Sequence, residues 1–442
     1  MEAEQIDTLA PVLGGDGPPT TEDGRWIGEV QLSQPYADTV KALDSDGYQQ
    51  ARLLVRNGRT VLGFIEVGID DGVILGREVC REMSRLPERA AHDSVPADLP
   101  PVSVVLCTRD RTAAATRAVE SLLAMDYPQF EVVVVDNAAT TLDTWRYVDS
   151  LADPRVRAIH ASVPGLAAAR NRGLEAATHA IVAFTDDDVV VDRYWLERLV
   201  APLSDPAVAC VTGLVPAAQL RTAAQCTFEQ RVRWANSLER REYRRDDPSH
   251  GKLFPFRVGD YGTGANFAVR RSVAFALGGF DEALGAGSPA KGGEDIDWFV
   301  RTIVAGHTLV FEPDAITWHQ HRDDDDALSA QAHGYGLGLG AWLTKIAFDR
   351  DLAPLALARA GSAVAHLVTS FYGRAKPRSA PSVPSVTGAA RAEFSGLIAG
   401  PRALLTARSQ GRKPKPFRHF GHLTASERAA PPKPEPSGGG TP

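Results

Sequence analysis

The stretch AIVAFTDDD, residues 180–188, decides the fold and indicates where the site lies. Its short continuous apolar run predicts a buried strand of a parallel sheet. The three acids Asp186, Asp187 and Asp188 then leave that strand at its carboxyl end, where open α/β sheets bind ligands. Three adjacent like charges repel unless a cation holds them, and carboxylate oxygens suit Mg²⁺ or Mn²⁺ on a nucleotide. The alternative is a solvated acidic turn.

Strand-like and helical segments alternate outward from this run. Apolar runs predict strands at 102–107, 130–135 and 156–159, and helical patterns occupy 112–125 and 166–178. This alternation predicts an α/β fold with a doubly wound, mostly parallel sheet. The residues that follow each strand should therefore meet at one edge of the sheet.

The bulk composition limits the class of protein. A length of 442 residues predicts two or three folded units, and a formal net charge of -7 argues against a dedicated nucleic-acid binder. The four cysteines form no CxxC pair, the amino terminus lacks a secretory signal, and no apolar run approaches the roughly 20 residues of a spanning helix. We therefore expect a cytoplasmic protein without disulfides or structural zinc.

The chain divides by composition into six segments. Residues 1–24 are rich in Gly, Pro, Asp and Thr and are expected to be disordered. Strand-like runs around the hairpin signal Asn57-Gly58 predict a small α+β accessory domain. The predicted order is 1–24 disordered, 25–90 accessory domain, 91–100 linker, 101–325 main domain, 326–375 helical extension, and 376–442 a Pro-rich, basic and largely disordered tail.

Two carboxy-terminal features raise the question of a membrane surface. Residues 351–372 place apolar side chains at helical spacing, and residues 402–418 collect six basic residues with no acid between them. The first suits an amphipathic helix that lies on a membrane or packs on protein, and the second suits anionic lipid or a soluble tail. A peripheral contact at the inner face of the membrane is one expectation.

Five sequence blocks, taken in order, resemble the inverting family 2 glycosyltransferases of the GT-A fold. The blocks are VSVVLCTRDR, SLLAMDYPQFEVVVVDN, GLAAARNRGLEAATHAIVAFTDDD, GTGANFAVRR with LGGFDE, and GGEDIDWFVR ahead of WHQH, within about residues 101–322. The resemblance implies a nucleotide-diphospho-sugar transferase that depends on Mg²⁺ or Mn²⁺. Its partners would be a UDP- or dTDP-sugar donor and a hydroxyl of a glycan, a lipid-linked or a small-molecule acceptor. A retaining GT-A transferase and a sugar-nucleotide-binding protein without turnover are the alternatives.

The resemblance assigns the donor site to side chains at the sheet edge. Thr108 and Arg109 would line the nucleobase pocket with Asp136, since an acid at a strand exit can accept the imide N–H of uracil or thymine. The alternative for Asp136 is a helix N-cap. Arg170 and Asn171, early in a helix, would bind the diphosphate. Alternatively, Arg170 packs over the sheet and pairs with an acid.

The acidic triplet resembles the DxD element of that family. Asp186 would lie near the ribose, Asp188 would bind the divalent cation, and Asp187 would replace or assist it. Strand alternation puts His319 and His321 on one face, and the resemblance makes one of them a further metal ligand without deciding which. The alternative for either histidine is a polar surface residue.

The last block supplies the expected catalytic acids. The resemblance assigns Asp295 the general base that takes the acceptor proton, with Glu294 as an acceptor contact or second choice. The alternative is that both acids only favour a helix N-terminus. Trp298 is placed on the acceptor side, where it would stack on a sugar ring, unless it belongs to the core. Asp297 is expected to face solvent or to be structural.

Overall fold

A computed structural model describes residues 6–15, 17–89, 98–232, 234–235, 237–362 and 384–412 of the chain. In those ranges the strands β1 to β15 are Ile6–Leu9, Trp26–Gln31, Tyr36–Ala42, Gln50–Asn57, Thr60–Gly68, Val73–Leu75, Val102–Thr108, Phe130–Asn137, Val156–Ala161, Ile181–Asp186, Val189–Val191, Val208–Leu214, Arg241–Tyr243, Asn266–Arg270 and Thr308–His319. The helices α1 to α11 are Gly76–Met83, Thr112–Leu123, Asp143–Leu151, Leu166–Ala176, Trp195–Val200, Ala223–Val232, Arg271–Ala276, Glu294–Val304, Asp325–Phe348, Leu352–Leu357 and Pro384–Ser409.

The main domain is built on a nine-stranded sheet. Its order is β9-β8-β7-β10-β14-β12-β15-β11, with β13 paired to β15. The four strands from β9 to β10 are parallel, as are β12 and β15, whereas β14 runs antiparallel to both of its neighbours. The predicted α/β fold with a parallel-rich sheet is therefore confirmed, and β14 is the antiparallel insertion at its centre.

Helices cover both faces of this sheet. Successive side chains of each strand point to opposite sides, and both sets are apolar, so each face packs against its own helices. Val104 of β7 belongs to the same apolar cluster as Val119 of α2. Val105, one residue later, belongs to the cluster that contains Leu174 of α4. A Cβ built at Gly173 would lie 2.3 Å from a methyl group of Val105, so the absence of a side chain there lets α4 approach the sheet closely.

The accessory domain consists of two three-stranded sheets and α1. The strand orders are β1-β3-β6 and β2-β4-β5. Strands β4 and β5 meet at the Asn57-Gly58 turn, which confirms the predicted hairpin. The expectation of disorder over residues 1–24 is corrected at Ile6–Leu9, which pairs with β3. A four-residue strand with one buried side chain, Leu9, carries too little pattern to be detected without its partner.

The predicted disordered tail contains a long helix. The 26 residues of α11 pack along α9 through glycines: a Cβ built at Gly336 would lie 1.9 Å from the carbonyl oxygen of Glu393, and one at Gly396 would lie 2.2 Å from that of His333. Glycines and the internal Pro401 give α11 low helix propensity, so its stability comes from packing on α9. Residues 376–383 and 413–442 of the predicted tail lie outside the described residues.

A buried cluster of charges fastens α11 and α9 to the main domain. Asp281 is fully buried and accepts two hydrogen bonds of 2.7 Å from Arg408 of α11, with Lys345 of α9 at 3.0 Å. Lys345 also lies 2.6 Å from Asp297, which accepts from Arg301 at 2.7 Å. Asp297 is therefore structural, which was one of the two expectations for it, and it does not face solvent.

The structure also bears on the membrane expectation. Among the residues that the structure describes, no helix combines the length and apolar character needed to cross a bilayer. Two members of the basic stretch are engaged by the fold, since Arg408 pairs with Asp281 and Arg412 donates to the carbonyl oxygens of Pro164 and Glu282. Within 351–372, residues 363–372 lie outside the described ranges.

Candidate functional site

A cavity of about 610 Å³ opens at the edge of the sheet where β7, β8 and β10 end, a volume typical of a small-ligand site. Its walls come from the main domain and from α9 and α11. The polar residues that line it include Thr108, Arg109, Arg111, Asn137, Arg170, Asp186, Asp187, Asp188, Glu294, Asp295, His319, Arg322, Gln331, Tyr335 and Glu393. The structure therefore brings together the acidic triplet, both acids of α8 and one of the two histidines.

Asp187 is held by partners from β7 and the loop after it. Thr108 donates from Oγ1 to Asp187 Oδ2 at 2.7 Å, and Arg111 pairs with Asp187 Oδ1. Burial and the neighbouring charge of Asp188 raise the pKa of Asp187 to about 6. Thr108 thus contacts the acidic triplet directly, and Arg111 is a site residue that the sequence prediction missed.

Two arginines and one histidine surround the carboxylate of Asp188. His319 Nε2 is 3.4 Å from Asp188 Oδ1, while Arg111 and Arg322 approach Oδ2 to 3.2 and 3.6 Å. Burial opposes ionisation of Asp188, but His319 and Arg111 outweigh it and hold the pKa of this carboxyl well below its usual range. The described residues form no group of three or more His, Cys, Asp or Glu side chains that could hold a metal alone.

Arg170 is buried and paired with acids on both sides. Its guanidinium donates to Glu294 Oε1 at 2.8 Å, to Asp186 Oδ1 at 3.2 Å and to the carbonyl oxygen of Gly264 at 2.7 Å. The alternative interpretation, a guanidinium that packs over the sheet and pairs with an acid, therefore describes the observed geometry. Burial and the charge of Asp295 raise the pKa of Glu294 to about 7.

Asp295 occupies a different position from Glu294. Gly293, with a φ of 92°, turns the chain into α8 so that both acids stand in its first turn. The Asp295 carboxylate accepts the backbone N–H of Gly264 at 2.9 Å and that of Ile296 at 2.8 Å. Glu294 is held by an arginine, whereas Asp295 is held at the cavity by backbone donors.

Asp136 is buried beside the cavity and does not line it. It stands in register with Thr108 on one side and His160 on the other. Its Oδ1 is buried and has no hydrogen-bond partner among the described residues, and burial raises its pKa. The next residue, Asn137, does line the cavity. Its side-chain oxygen accepts the N–H of Gly165 at 2.8 Å and so fixes the loop that leads into α4.

Two expected contacts lie elsewhere. Asn171 donates to the carbonyl oxygen of Phe280 at 3.0 Å and accepts the N–H of the same residue at 2.8 Å, so its amide fastens a loop and does not line the cavity. Trp298 is fully buried, with its ring 5.3 Å from that of Phe280 and 5.4 Å from the Arg301 guanidinium. That burial leaves no ring face for a sugar, which corrects the expected acceptor contact.

The two histidines occupy different depths. His319 lines the cavity, whereas His321 is buried behind it and lies 3.0 Å from Glu229 on α6. Burial lowers the pKa of His321. The two rings are neighbours, with centroids 5.1 Å apart, although β15 ends at His319 and His321 lies two residues beyond it. Of the two histidines, His319 is the one that approaches Asp188.

Several lining residues carried no readable pattern. Gln331, Tyr335 and Leu339 of α9 and Glu393 of α11 close one side of the cavity. Their roles depend on how the carboxy-terminal helices dock, and nothing local in those helices indicates a site. Arg111 differs, because it belongs to the quoted block VSVVLCTRDR and lies two residues after the arginine that was expected.

The main domain is similar to known glycosyltransferases. A family model described as glycosyl transferase family 2 matches residues 103–274. A pre-mycofactocin glycosyltransferase of Mycobacterium tuberculosis is 32% identical over 249 residues, which cover 55% of this chain and 49% of that protein. The succinoglycan biosynthesis protein ExoM of Rhizobium meliloti is 30% identical over 223 residues, which cover 48% of this chain and 65% of ExoM. The matched region thus spans about half the length of the mycobacterial relative.

Solved glycosyltransferase structures align with about three quarters of the chain at TM-scores below 0.5. A mannosyltransferase from Pyrobaculum calidifontis, in complex with GDP-Man and Mn²⁺, aligns with a TM-score of 0.44 and 21% identity. The alignment covers 75% of this chain and 91% of that one.

Proposed function

The chain belongs to glycosyl transferase family 2 through residues 103–274, and from that premise we propose that it transfers a sugar from a nucleotide-diphosphate donor to an acceptor hydroxyl. The observation that carries the proposal is the meeting of the acidic triplet, Asp295 and His319 in one cavity of about 610 Å³. Those groups lie far apart in the chain. Within the one cavity, the triplet can serve the nucleotide-sugar donor, and Asp295 can take the proton of the acceptor hydroxyl.

The proposal of a UDP- or dTDP-sugar donor takes Asp136 as the acceptor of a uracil or thymine imide N–H, as the family resemblance implies. Asp136 Oδ1 has no hydrogen-bond partner among the described residues, but it is buried beside the cavity and would have to become accessible to a nucleobase. Near the triplet, Arg111 and Arg322 add positive charge that suits an anionic diphosphate. Arg109, exposed at the cavity, adds a third guanidinium.

The residues present also fit a divalent cation, Mg²⁺ or Mn²⁺. Asp188 and His319 Nε2 lie 3.4 Å apart and would offer a carboxylate oxygen and an imidazole nitrogen as ligands, and the remaining ligands would have to come from outside the protein. When bound, the cation neutralises charge that develops on the departing nucleoside diphosphate. Arg111 must then give up its contact with Asp188 or share it.

We propose Asp295 as the general base of an inverting displacement. Two backbone N–H groups hold its carboxylate at the cavity, and an ionised carboxylate in that position can take the proton of an attacking hydroxyl. Glu294 is less suited to this role because it is buried and paired with Arg170 at 2.8 Å. We assign Glu294 and Arg170 to holding Asp186 and the start of α8 in place.

The Asp295→Asn variant tests this assignment. Loss of a general base is expected to lower kcat by about 10²- to 10⁴-fold while leaving donor affinity unchanged. Asp323→Asn, which alters a 64% exposed side chain, is the matched control and should behave as wild type. Transfer at the wild-type rate by Asp295→Asn would end the assignment, and a product that retains the donor's anomeric configuration would establish a retaining mechanism instead.

The donor is identified by a thermal-shift series of sugar nucleotides with and without Mn²⁺, because a ligand that binds the folded chain raises its unfolding temperature. The nucleotide that stabilises most should be a UDP- or dTDP-sugar and should be consumed when an acceptor is added. Stabilisation without consumption across glycan, lipid-linked and small-molecule acceptors would favour a binding protein without turnover. The names of the relatives make polysaccharide or other glycoconjugate biosynthesis the first setting to test.

A further inference from the structure

A chain of hydrogen-bonding groups runs from the cavity to the accessory domain. His319 Nε2 lies 3.4 Å from Asp188 Oδ1, and His319 Nδ1 lies 2.9 Å from Nδ1 of His321. His321 Nε2 lies 3.0 Å from Glu229 Oε2. The other oxygen of Glu229 accepts from Nη1 of Arg52, on β4, at 3.4 Å. Five side chains from four distant parts of the sequence thus form one line.

The rings in this line are fixed by packing. Phe228 and Trp234 meet the His321 ring edge-on, with centroids 4.6 and 6.3 Å away, and Trp234 also meets His319 at 5.5 Å. The side-chain amide of Gln225 donates to the carbonyl oxygen of His321 at 3.2 Å. The nitrogen that each imidazole presents to its neighbours is therefore set by the fold.

Donor and acceptor rules assign the protons along the line. Glu229 pairs with Arg52 as a carboxylate, which only accepts, so His321 Nε2 carries a proton. A neutral His321 then has a bare Nδ1, and that atom can only accept from an N–H on Nδ1 of His319. The nitrogen of His319 left for a ligand is Nε2, which is the one that faces Asp188.

We propose that Glu229 and His321 are positioning residues that hold His319 in the Nδ1–H form, so that Nε2 directs its lone pair toward the cation site at Asp188. The cation is the one in the proposed function, on which this inference rests. His321 itself does not bind the cation, because hydrogen bonds already occupy both of its nitrogens. Arg52 gives the accessory domain a share in the site by orienting Glu229. Partners behind a histidine ligand commonly fix its tautomer in this way.

The tautomers are measured directly on the ligand-free full chain. Ring-¹⁵N histidine labelling and long-range ¹H–¹⁵N correlation spectra distinguish protonated from bare ring nitrogens, and the variants His319→Gln and His321→Gln assign the signals. We expect a protonated Nδ1 on His319, with a protonated Nε2 and a bare Nδ1 on His321. A bare Nδ1 on His319 would overturn the proposal whatever the activity of the protein.

Cation affinity supplies the second readout, with Mn²⁺ alone as the probe and electron paramagnetic resonance to count free ions. Glu229→Leu removes the acceptor and should weaken Mn²⁺ binding about 10- to 100-fold. Glu229→Gln keeps an oxygen that can accept from His321 and should retain most of the affinity. Glu66→Leu is the matched control, since Glu66 lies 3.9 Å from Arg52 and is 51% exposed. Wild-type affinity in Glu229→Leu would refute the positioning role.

The outcomes separate this inference from the proposed function. If the tautomers and the order of Mn²⁺ affinities are as expected but no sugar nucleotide is consumed, the transferase proposal fails and the positioning role stands. If sugar transfer is found but Nδ1 of His319 is bare, the positioning role fails alone. Should Glu229→Leu not fold, the wild-type spectrum still decides.

Discussion

The packing of α9 on α11 gives a sharp prediction, because two glycines of α9 stand in contrasting surroundings. A Cβ built at Gly336 would lie 1.9 Å from the carbonyl oxygen of Glu393 on α11, whereas one built at Gly334 would approach Lys291 Cβ only to 3.7 Å. Alanine at either position gains about 1 kcal/mol of helix propensity. Only Gly336→Ala must also push the helices apart, at a cost of about 1 to 3 kcal/mol.

The propensity gain cancels when the two variants are compared, so the difference isolates the helix contact. Hydrogen exchange followed by mass spectrometry reports the opening of α11 locally, which avoids assuming two-state unfolding of the whole chain. A difference of 1 to 3 kcal/mol corresponds to roughly 5- to 150-fold faster exchange over α11 in Gly336→Ala than in Gly334→Ala. Equal exchange in the two variants would show that close glycine packing does not hold α11, and the argument for its stability would be refuted.

Two further predictions concern buried charges away from the cavity. Burial and the nearby Asp314 raise the pKa of Glu312 from 4.5 to about 7, so the folded chain keeps a proton that the unfolded chain has lost, and stability falls as pH rises through that window. Glu312→Gln should abolish this fall in the free energy of unfolding, which amounts to up to ~3 kcal/mol. The measurement is the free energy of unfolding of both proteins from pH 4.5 to 8. The same pH dependence in the two proteins would contradict the prediction. Lys345→Met should lower the free energy of unfolding by about 3 kcal/mol in thermal denaturation, since it leaves Asp281 and Asp297 with one cation each, and an unchanged midpoint would contradict the network.

The central sheet was predictable because its strands are continuous apolar runs separated by helical patterns. Such runs mark burial on both faces, which in this chain identifies β7, β8 and β10 and the edge where they end. The direction of β14 was not predictable. The sequence of Asn266–Arg270 suits a parallel strand as well as an antiparallel one, and its antiparallel pairing with β10 and β12 depends on the loops around it. The Asn57-Gly58 hairpin was predictable because turn chemistry is local.

The carboxy-terminal helices show the opposite case. Helix α11 has glycines and a proline in its interior, and each lowers the propensity on which a sequence-based assignment depends. The same glycines permit the close approach to α9 that stabilises the helix. A pattern that looks like disorder in isolation is thus the requirement for packing. The cavity residues on α9 and α11 were missed because their place at the site depends on how the two helices dock.

The acidic triplet was interpreted from the repulsion among its three charges, and the structure refines that reasoning. Each acid is paired within the protein: Asp186 with Arg170, Asp187 with Thr108 and Arg111, and Asp188 with His319, Arg322 and the shared Arg111. Because guanidinium groups already offset the repulsion, three adjacent carboxylates are not by themselves evidence for a metal. A more specific indication of a cation is the imidazole nitrogen Nε2 of His319, which faces the Asp188 carboxylate while His321 and Glu229 hold the other side of the ring. The guanidinium groups of Arg111 and Arg322 have no lone pair to offer to a cation. Of the partners of Asp188, His319 is the one that could become a metal ligand.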